Sequence, residues 1–186
     1  MAIIKHAGQR VAVLIDVQNM YHSARNLYNA RVNFREILKV AVSRRILIRA
    51  FAYVVRTKTG EEKPFFEALI KLGIETRVRD LQEFFGGLKK ADWDVGITVD
   101  AIRIAQSCDT IVLASGDGDF LQLIEYLKNQ GKRVEVIAFG KSASLKLKES
   151  ADEFIDMAEE PEKYLLQIKT GPLEKNSVEL DRSPQS

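Results

Sequence analysis

The sequence has a single cysteine, Cys108, in 186 residues, so no disulfide forms within the chain and a reducing, cytoplasmic setting is expected. It has no apolar run near the roughly 18 residues that cross a bilayer. The longest runs, VAVLI at 11–15 and TIVLA at 110–114, have the length of a strand, so no membrane partner is expected. The opening MAIIKHAGQR lacks the apolar block and small-residue cleavage site of a secretory signal. Charge of one sign is also lacking: 28 basic against 26 acidic residues leave a net +2. No global field marks a nucleic-acid partner, and any such binding must come from a local patch. What is present is 46% apolar and 29% charged residues, enough for one sizeable core and too little for two. We expect a single domain over 1–168, with a core over about 10–158. From Lys169 the periodicity gives way to Pro, Ser and charge, which reads as a flexible polar tail over 169–186.

Hydrophobic period divides the core into alternating elements. RVAVLID reads as a buried strand, and NMYHSARNLY as a helix with Met20, Ala24 and Leu27 in step. NFREILKVAVS reads as a helix capped by Asn33, and ILIRAFAYVV as a strand after a solvated start at SRR. EEKPFFEALIKLG has proline in a first turn and Gly73 at a helix stop. IETRVRD alternates like a half-exposed strand, LQEFFGGLKKA is a glycine-containing connection, and DWDVGITVDAIRIAQS is a helix with Asp92 as its cap. TIVLAS, DFLQLIEYLKNQG and RVEVIAFG follow as strand, helix and strand; DEFIDM adds a short strand and EPEKYLLQI a closing helix. This alternation predicts an α/β fold with a doubly wound, mainly parallel sheet of five or six strands.

In such sheets, sites form beyond the carboxyl ends of the strands, where strand order reverses. Asp16 ends the first strand, Asp117 and Asp119 follow TIVLA, and Asp94 opens the intervening helix. If the first strand and TIVLAS are neighbours, these acids converge, and close carboxylates either take up a proton or hold a cation. With no histidine or cysteine ligand nearby, the donor set favours a hard divalent cation, Mg²⁺ or Mn²⁺. Each acid also has an ordinary role open to it. Asp16 and Asp119 sit where helix caps belong, and Asp94 sits where the helix dipole favours a negative charge. Asp100 lies about 240° round the helix from Asp94, so it either supports the site from behind or belongs to the polar face. GDGDF matches neither a dinucleotide loop nor a P-loop, so Gly116 and Gly118 are read as hinges that aim the aspartates.

LIDVQN (14–19), KKADWDVGITVDAI (89–102) and ASGDGDF (114–120), in this order, resemble the NYN domains of the PIN-like nuclease superfamily, in the LabA-like (DUF88) branch. The resemblance spans about residues 10–158. It implies a three-layer PIN-like fold and metal-dependent hydrolysis of RNA phosphodiesters. Matched motif by motif, it implies Asp16, Asp94, Asp117 and Asp119 as catalytic metal ligands for one or two ions, with Asn19 as a catalytic hydrogen-bonder. Asp100 and Ser115 become supporting residues, and Lys89 or Lys90 the basic residue that meets phosphate.

For a single-stranded or structured RNA, further candidate contacts are Arg56 and Lys58, Tyr21, and the Phe84–Phe85 pair. That pair serves equally to cover the sheet edge or to self-associate, and a homodimer is the expected assembly. Phe65 and Phe66 read as core. A haloacid-dehalogenase phosphatase is disfavoured because Gln18 stands where its second aspartate belongs, and a Toprim domain because Asp16 stands where it needs glutamate. A regulatory or scaffold protein that binds RNA or protein with the same acidic pocket is the remaining alternative.

Overall fold

RVAVLID forms β1 (Arg10–Asp16), buried from its second residue to its last because it lies at the centre of a sheet covered on both faces. The computed structural model describes residues 5–57, 61–83, 89–90 and 92–167. After β1 the chain runs through α1 (Val17–Tyr28), β2 (Ala30–Val32), α2 (Phe34–Val42), β3 (Ile46–Arg56), α3 (Lys63–Lys71) and β4 (Glu75–Asp80). A small hairpin of β5 (Gln82–Glu83) and β6 (Lys89–Lys90) precedes α4 (Asp94–Ala105) and β7 (Thr110–Ala114). A 3-10 turn (Gly118–Phe120), α5 (Leu121–Asn129), β8 (Arg133–Ala138), α6 (Leu145–Ser150) and β9 (Glu153–Asp156) follow, then α7 (Pro161–Tyr164) and β10 (Leu165–Gln167).

The main sheet has six strands in the order β4-β3-β1-β7-β8-β9, every pair parallel, which is the doubly wound α/β architecture expected. The chain winds from β1 to β3 and β4, then returns through α4 to β7 on the other side of β1 and winds outward again. Right-handed crossovers put α1 to α3 on one face and α4 to α6 on the other, giving three layers. In agreement, α1 and α2 pack on β1 and β3, while α4 packs on β1, β7 and α5. The strand order reverses between β1 and β7, where Ile15 pairs with Ala114. Asp16 and the loop after β7 therefore emerge side by side.

Several local expectations are corrected. EPEKYLLQI is a helix only through Tyr164; Leu165–Gln167 is a strand, antiparallel to β2. Asn33 occupies the cap position of α2 but makes no side-chain cap, because its Nδ2 donates instead to the Lys163 carbonyl at 3.3 Å and docks the C-terminal segment. The cap position of α4 is Trp93, not Asp92. The SRR start of β3 is not wholly solvated, since Arg45 is buried and its guanidinium grips Glu135 of β8. Lys58, Phe84, Phe85 and the tail expected over 169–186 lie outside the described residues. Among the described residues no helix is long and apolar enough to cross a membrane.

Candidate metal centre

Asp16 is the last residue of β1 and the N-cap of α1, so one carboxylate both ends a strand and starts a helix. Its Oδ1 accepts the Asn19 backbone N–H at 3.1 Å, and its Oδ2 accepts the Ser115 hydroxyl at 3.1 Å. Ser115 is fully buried, and its Oγ also accepts the Asp117 N–H at 3.2 Å. Asn19 Oδ1 accepts the Gly116 N–H at 2.9 Å. These bonds clasp the first turn of α1 to the loop after β7. The switch point is a fastened junction.

Asp117 caps the 3-10 turn through Oδ1, which accepts the Asp119 N–H at 3.0 Å. The capping role expected of Asp119 thus falls to Asp117, and the Asp119 side chain is left exposed. The glycines act differently from hinges. Neither Gly116 nor Gly118 has positive φ. A Cβ on Gly116 would come 2.9 Å from Ala143 Cα, and one on Gly118 would come 3.1 Å from Ser144 Oγ. Glycine is needed because the loop before α6 passes close by, donating the Ser144 N–H to the Gly116 carbonyl at 2.9 Å.

Asp94 enters from the start of α4. One carboxylate oxygen each from Asp94, Asp117 and Asp119 lie within 4.8 Å of one another. Partial burial, and then the charges of Asp117, Asp16, Asp92 and Asp119, push the Asp94 carboxyl up to about 6. The pKa of Asp16 is also raised: burial raises it most, the Asn19 and Ser115 hydrogen bonds pull it down, and the Asp117 charge raises it further. Asp16 stands beside the gathered oxygens, lining with Asp94 and Asp117 the same cleft of about 360 Å³. An all-carboxylate donor set in a negative field fits a hard, oxygen-seeking divalent cation and suits no soft metal.

The remaining site candidates are more widely placed. Asp100 is not among the gathered oxygens; it accepts the Tyr53 hydroxyl at 3.1 Å and pairs with Arg77 at 3.3 Å. Arg56, at the C-terminal end of β3, pairs with Asp80 at 2.8 Å. Lys89 and Lys90 form β6, and their side chains lie outside what the structure describes. Trp93 was missed in the sequence reading. Its Nε1 donates to the Val54 carbonyl at 3.0 Å, and its ring meets Tyr53 edge-on and carries the Arg79 guanidinium at 4.5 Å. Trp93 lines the cleft and seats the helix end that presents Asp94. Its one signal in the sequence is its position beside Asp94, with Gly96 three residues after it.

These features define a class: a doubly wound α/β domain with an acidic cleft at the switch point of its sheet. The NYN domain family model matches residues 10–160, and the chain belongs to that family. Low amplitude and bright protein LabA of Synechococcus elongatus (strain ATCC 33912 / PCC 7942 / FACHB-805) is 28% identical over 163 residues, 80% of this chain and 83% of that protein. An uncharacterized protein of Methanocaldococcus jannaschii is 30% identical over 162 residues, 84% of this chain but 59% of its own length. The crystal structure of a protein of unknown function from Vibrio parahaemolyticus RIMD 2210633 is similar at a TM-score of 0.79 and 32% identity, covering 88% of this chain and all of that one.

Proposed function

We propose that the protein is a ribonuclease that hydrolyses RNA phosphodiesters with Mg²⁺ or Mn²⁺, acting in the cytoplasm. The observation that carries this reading is the convergence of Asp94, Asp117 and Asp119 oxygens within 4.8 Å, with no basic partner supplied by the described residues. The NYN domain match supports it. Asp94, Asp117 and Asp119 would hold the cation. Asp16 has spent one lone pair on each oxygen, and a carboxylate offers about four such sites, so ligation remains compatible with its cap. Such a cation supplies charge neutralisation at the phosphate and a lowered pKa for water.

The chain's own residues do the positioning. Asn19 and Ser115 hold α1 and the β7 loop at a fixed separation, so that Asp16 and Asp117 keep their relative aim. Arg56 is exposed, and its pair with Asp80 is of the weak surface kind, so it can exchange that partner for an RNA phosphate. Lys89 and Lys90, just ahead of α4 in the chain, bring further positive charge to the strand.

The test is incubation of labelled single-stranded and structured RNAs with Mn²⁺, Mg²⁺ or EDTA, comparing wild type with Asp94→Asn and Asp117→Asn. Cleavage with either metal is expected, and its loss in EDTA and in both variants. Cleavage that survives EDTA or both substitutions sinks the reading. Binding without cleavage in every metal points instead to a regulatory or scaffold role.

A further inference from the structure

A second depression of about 860 Å³ lies beside the acidic cleft, between α1, β2, the end of β3 and α3. Gln18 and His22 of α1 line both, so the two are one continuous surface that crosses the ridge of α1. Its floor is apolar, from Val17, Val32 and Val54. Tyr21, 48% exposed, stands on the α1 side, with its ring edge-on to His22 at 5.4 Å; Phe65 and Phe66 stand on the α3 side. Arg25, one turn beyond Tyr21, and Arg31 of β2 are exposed at the same wall. Among the described residues neither arginine has a carboxylate partner, unlike Arg49 and Arg56, which do. The carboxylates of this groove, Glu61 and Glu62, lie on the opposite, α3 side, where Thr57 occupies Glu62 through its N–H and its hydroxyl.

We infer that this groove is the subsite for the single-stranded RNA next to the scissile phosphate, with a base between Tyr21 and the Phe65–Phe66 wall and its phosphates along Arg25 and Arg31. The inference rests on the ribonuclease reading. Three features favour a nucleic-acid strand as the occupant. Unpaired cations line one wall, where a phosphate chain needs them. Aromatic side chains line the groove from two elements, the exposed Tyr21 of α1 and the half-buried Phe65 and Phe66 of α3, and aromatic rings of this kind are what unstacked bases stack on. The groove also adjoins the carboxylate cleft across α1, with Gln18 and His22 in both linings, so a strand with one phosphodiester at Asp94 and Asp117 reaches it by crossing α1. Phe65 and Phe66 pack against the core, as the sequence leads one to expect, and being half-buried they also line this groove.

The experiment separates the groove from the chemistry. Binding of a fluorescein-labelled single-stranded RNA octamer is followed by anisotropy in EDTA, where the proposed chemistry is off, for the full chain and for Tyr21→Ala, Tyr21→Phe and Arg25→Glu/Arg31→Glu. Hydrolysis of bis(p-nitrophenyl) phosphate, a diester without a nucleobase, is measured in Mn²⁺ for the same proteins. Tyr21→Ala is expected to weaken RNA binding about ten-fold, Tyr21→Phe to preserve it, and the double charge reversal to weaken it further and flatten its salt dependence. Hydrolysis of the small diester is expected to stay at the wild-type rate in all of them. RNA affinity unchanged by Tyr21→Ala and by the double reversal overturns the inference, even if the diester is cleaved. Affinity that falls as expected while the diester is never cleaved supports the groove and removes the ribonuclease reading. Affinity that becomes sensitive to Tyr21 only after deletion of residues 169–186 overturns the inference in favour of the chain's own tail as occupant.

Discussion

Glu135 and Asp16 are both buried carboxylates, the first toward the N-terminal ends of the strands and the second at their C-terminal ends. Glu135 is saturated with cations. Arg45 reaches both its oxygens at 2.8 Å, Arg133 reaches one at 2.8 Å, and Lys5 stands 3.5 Å away. Burial pushes its pKa up, and the Arg45 and Arg133 hydrogen bonds with the charges of Arg45 and Lys5 more than offset that, leaving it below its ordinary value. At the other end, neutral donors fasten Asp16, its neighbours are acids, and the pKa values of both Asp16 and Asp94 are raised. A protein able to surround one buried carboxylate with arginine gives Asp16, Asp94, Asp117 and Asp119 no counter-charge among the described residues. The difference marks the first as structure and makes the second the cluster whose charge the proposed cation would neutralise.

The comparison can be broken most forcefully at its compensated end. Arg45→Ala leaves Glu135 buried without its main partner, and should lower unfolding free energy by about 3–5 kcal/mol in urea titration. A loss under about 1 kcal/mol would mean that the network is not structural. Next in size is Gly96→Ala, whose Cβ would meet Trp93 Cε3 at 2.5 Å. Either the ring or the helix must shift, at roughly 1–3 kcal/mol, with a change in the emission of the single tryptophan and weaker Mn²⁺ binding through Asp94. An unchanged emission spectrum would show that Trp93 does not seat α4 as described.

A pH series sharpens the other end. The folded Asp94 carboxyl, at about 6, holds its proton more tightly than an unfolded aspartate near 3.9. The stabilisation is therefore complete below the unfolded value and is lost as pH rises through about 6. The midpoint of thermal unfolding of the metal-free protein should rise as pH falls from about 7 to 5, and Mn²⁺ should raise it more at pH 7 than at 5. Glu135 and Asp109, both held low by arginine, oppose this trend only in more acidic solution. A midpoint that falls steadily over that window contradicts the assignment. The smallest effect is that of Asp94→Asn on the metal-free protein at pH 7, a gain under about 1 kcal/mol after solvent screening and loss of a favourable helix-terminal charge. Loss of stability there would mean that the helix-terminal charge of Asp94 outweighs the repulsion from its acidic neighbours.

The strands that build the site were legible because burial on both faces leaves them as unbroken apolar runs: β1 begins and ends where RVAVLID does, and β7 is TIVLA. The three-residue β2 and β10 are too short for any period, and only their pairing across the chain makes them strands. Which aspartate caps which turn was not legible either, since Asp117 and Asp119 are two residues apart and both fit the cap pattern. The three motifs single out Asp94 and Ser115 as candidates. They do not say that Ser115 bridges Asp16 to the Asp117 backbone, because that bond joins groups 99 residues apart. Nor does SRR in SRRILIRA reveal that its last arginine turns inward to meet Glu135 of β8.

The most direct test of the uncompensated cluster is Mn²⁺ binding, read from the electron paramagnetic resonance signal of the free ion, on wild type, Asp94→Asn, Asp117→Asn and Asp100→Asn. Affinity should fall at least ten-fold in the first two variants and stay at the wild-type value in Asp100→Asn, whose partners are Tyr53 and Arg77. Equal affinity in wild type, Asp94→Asn and Asp117→Asn would contradict the account.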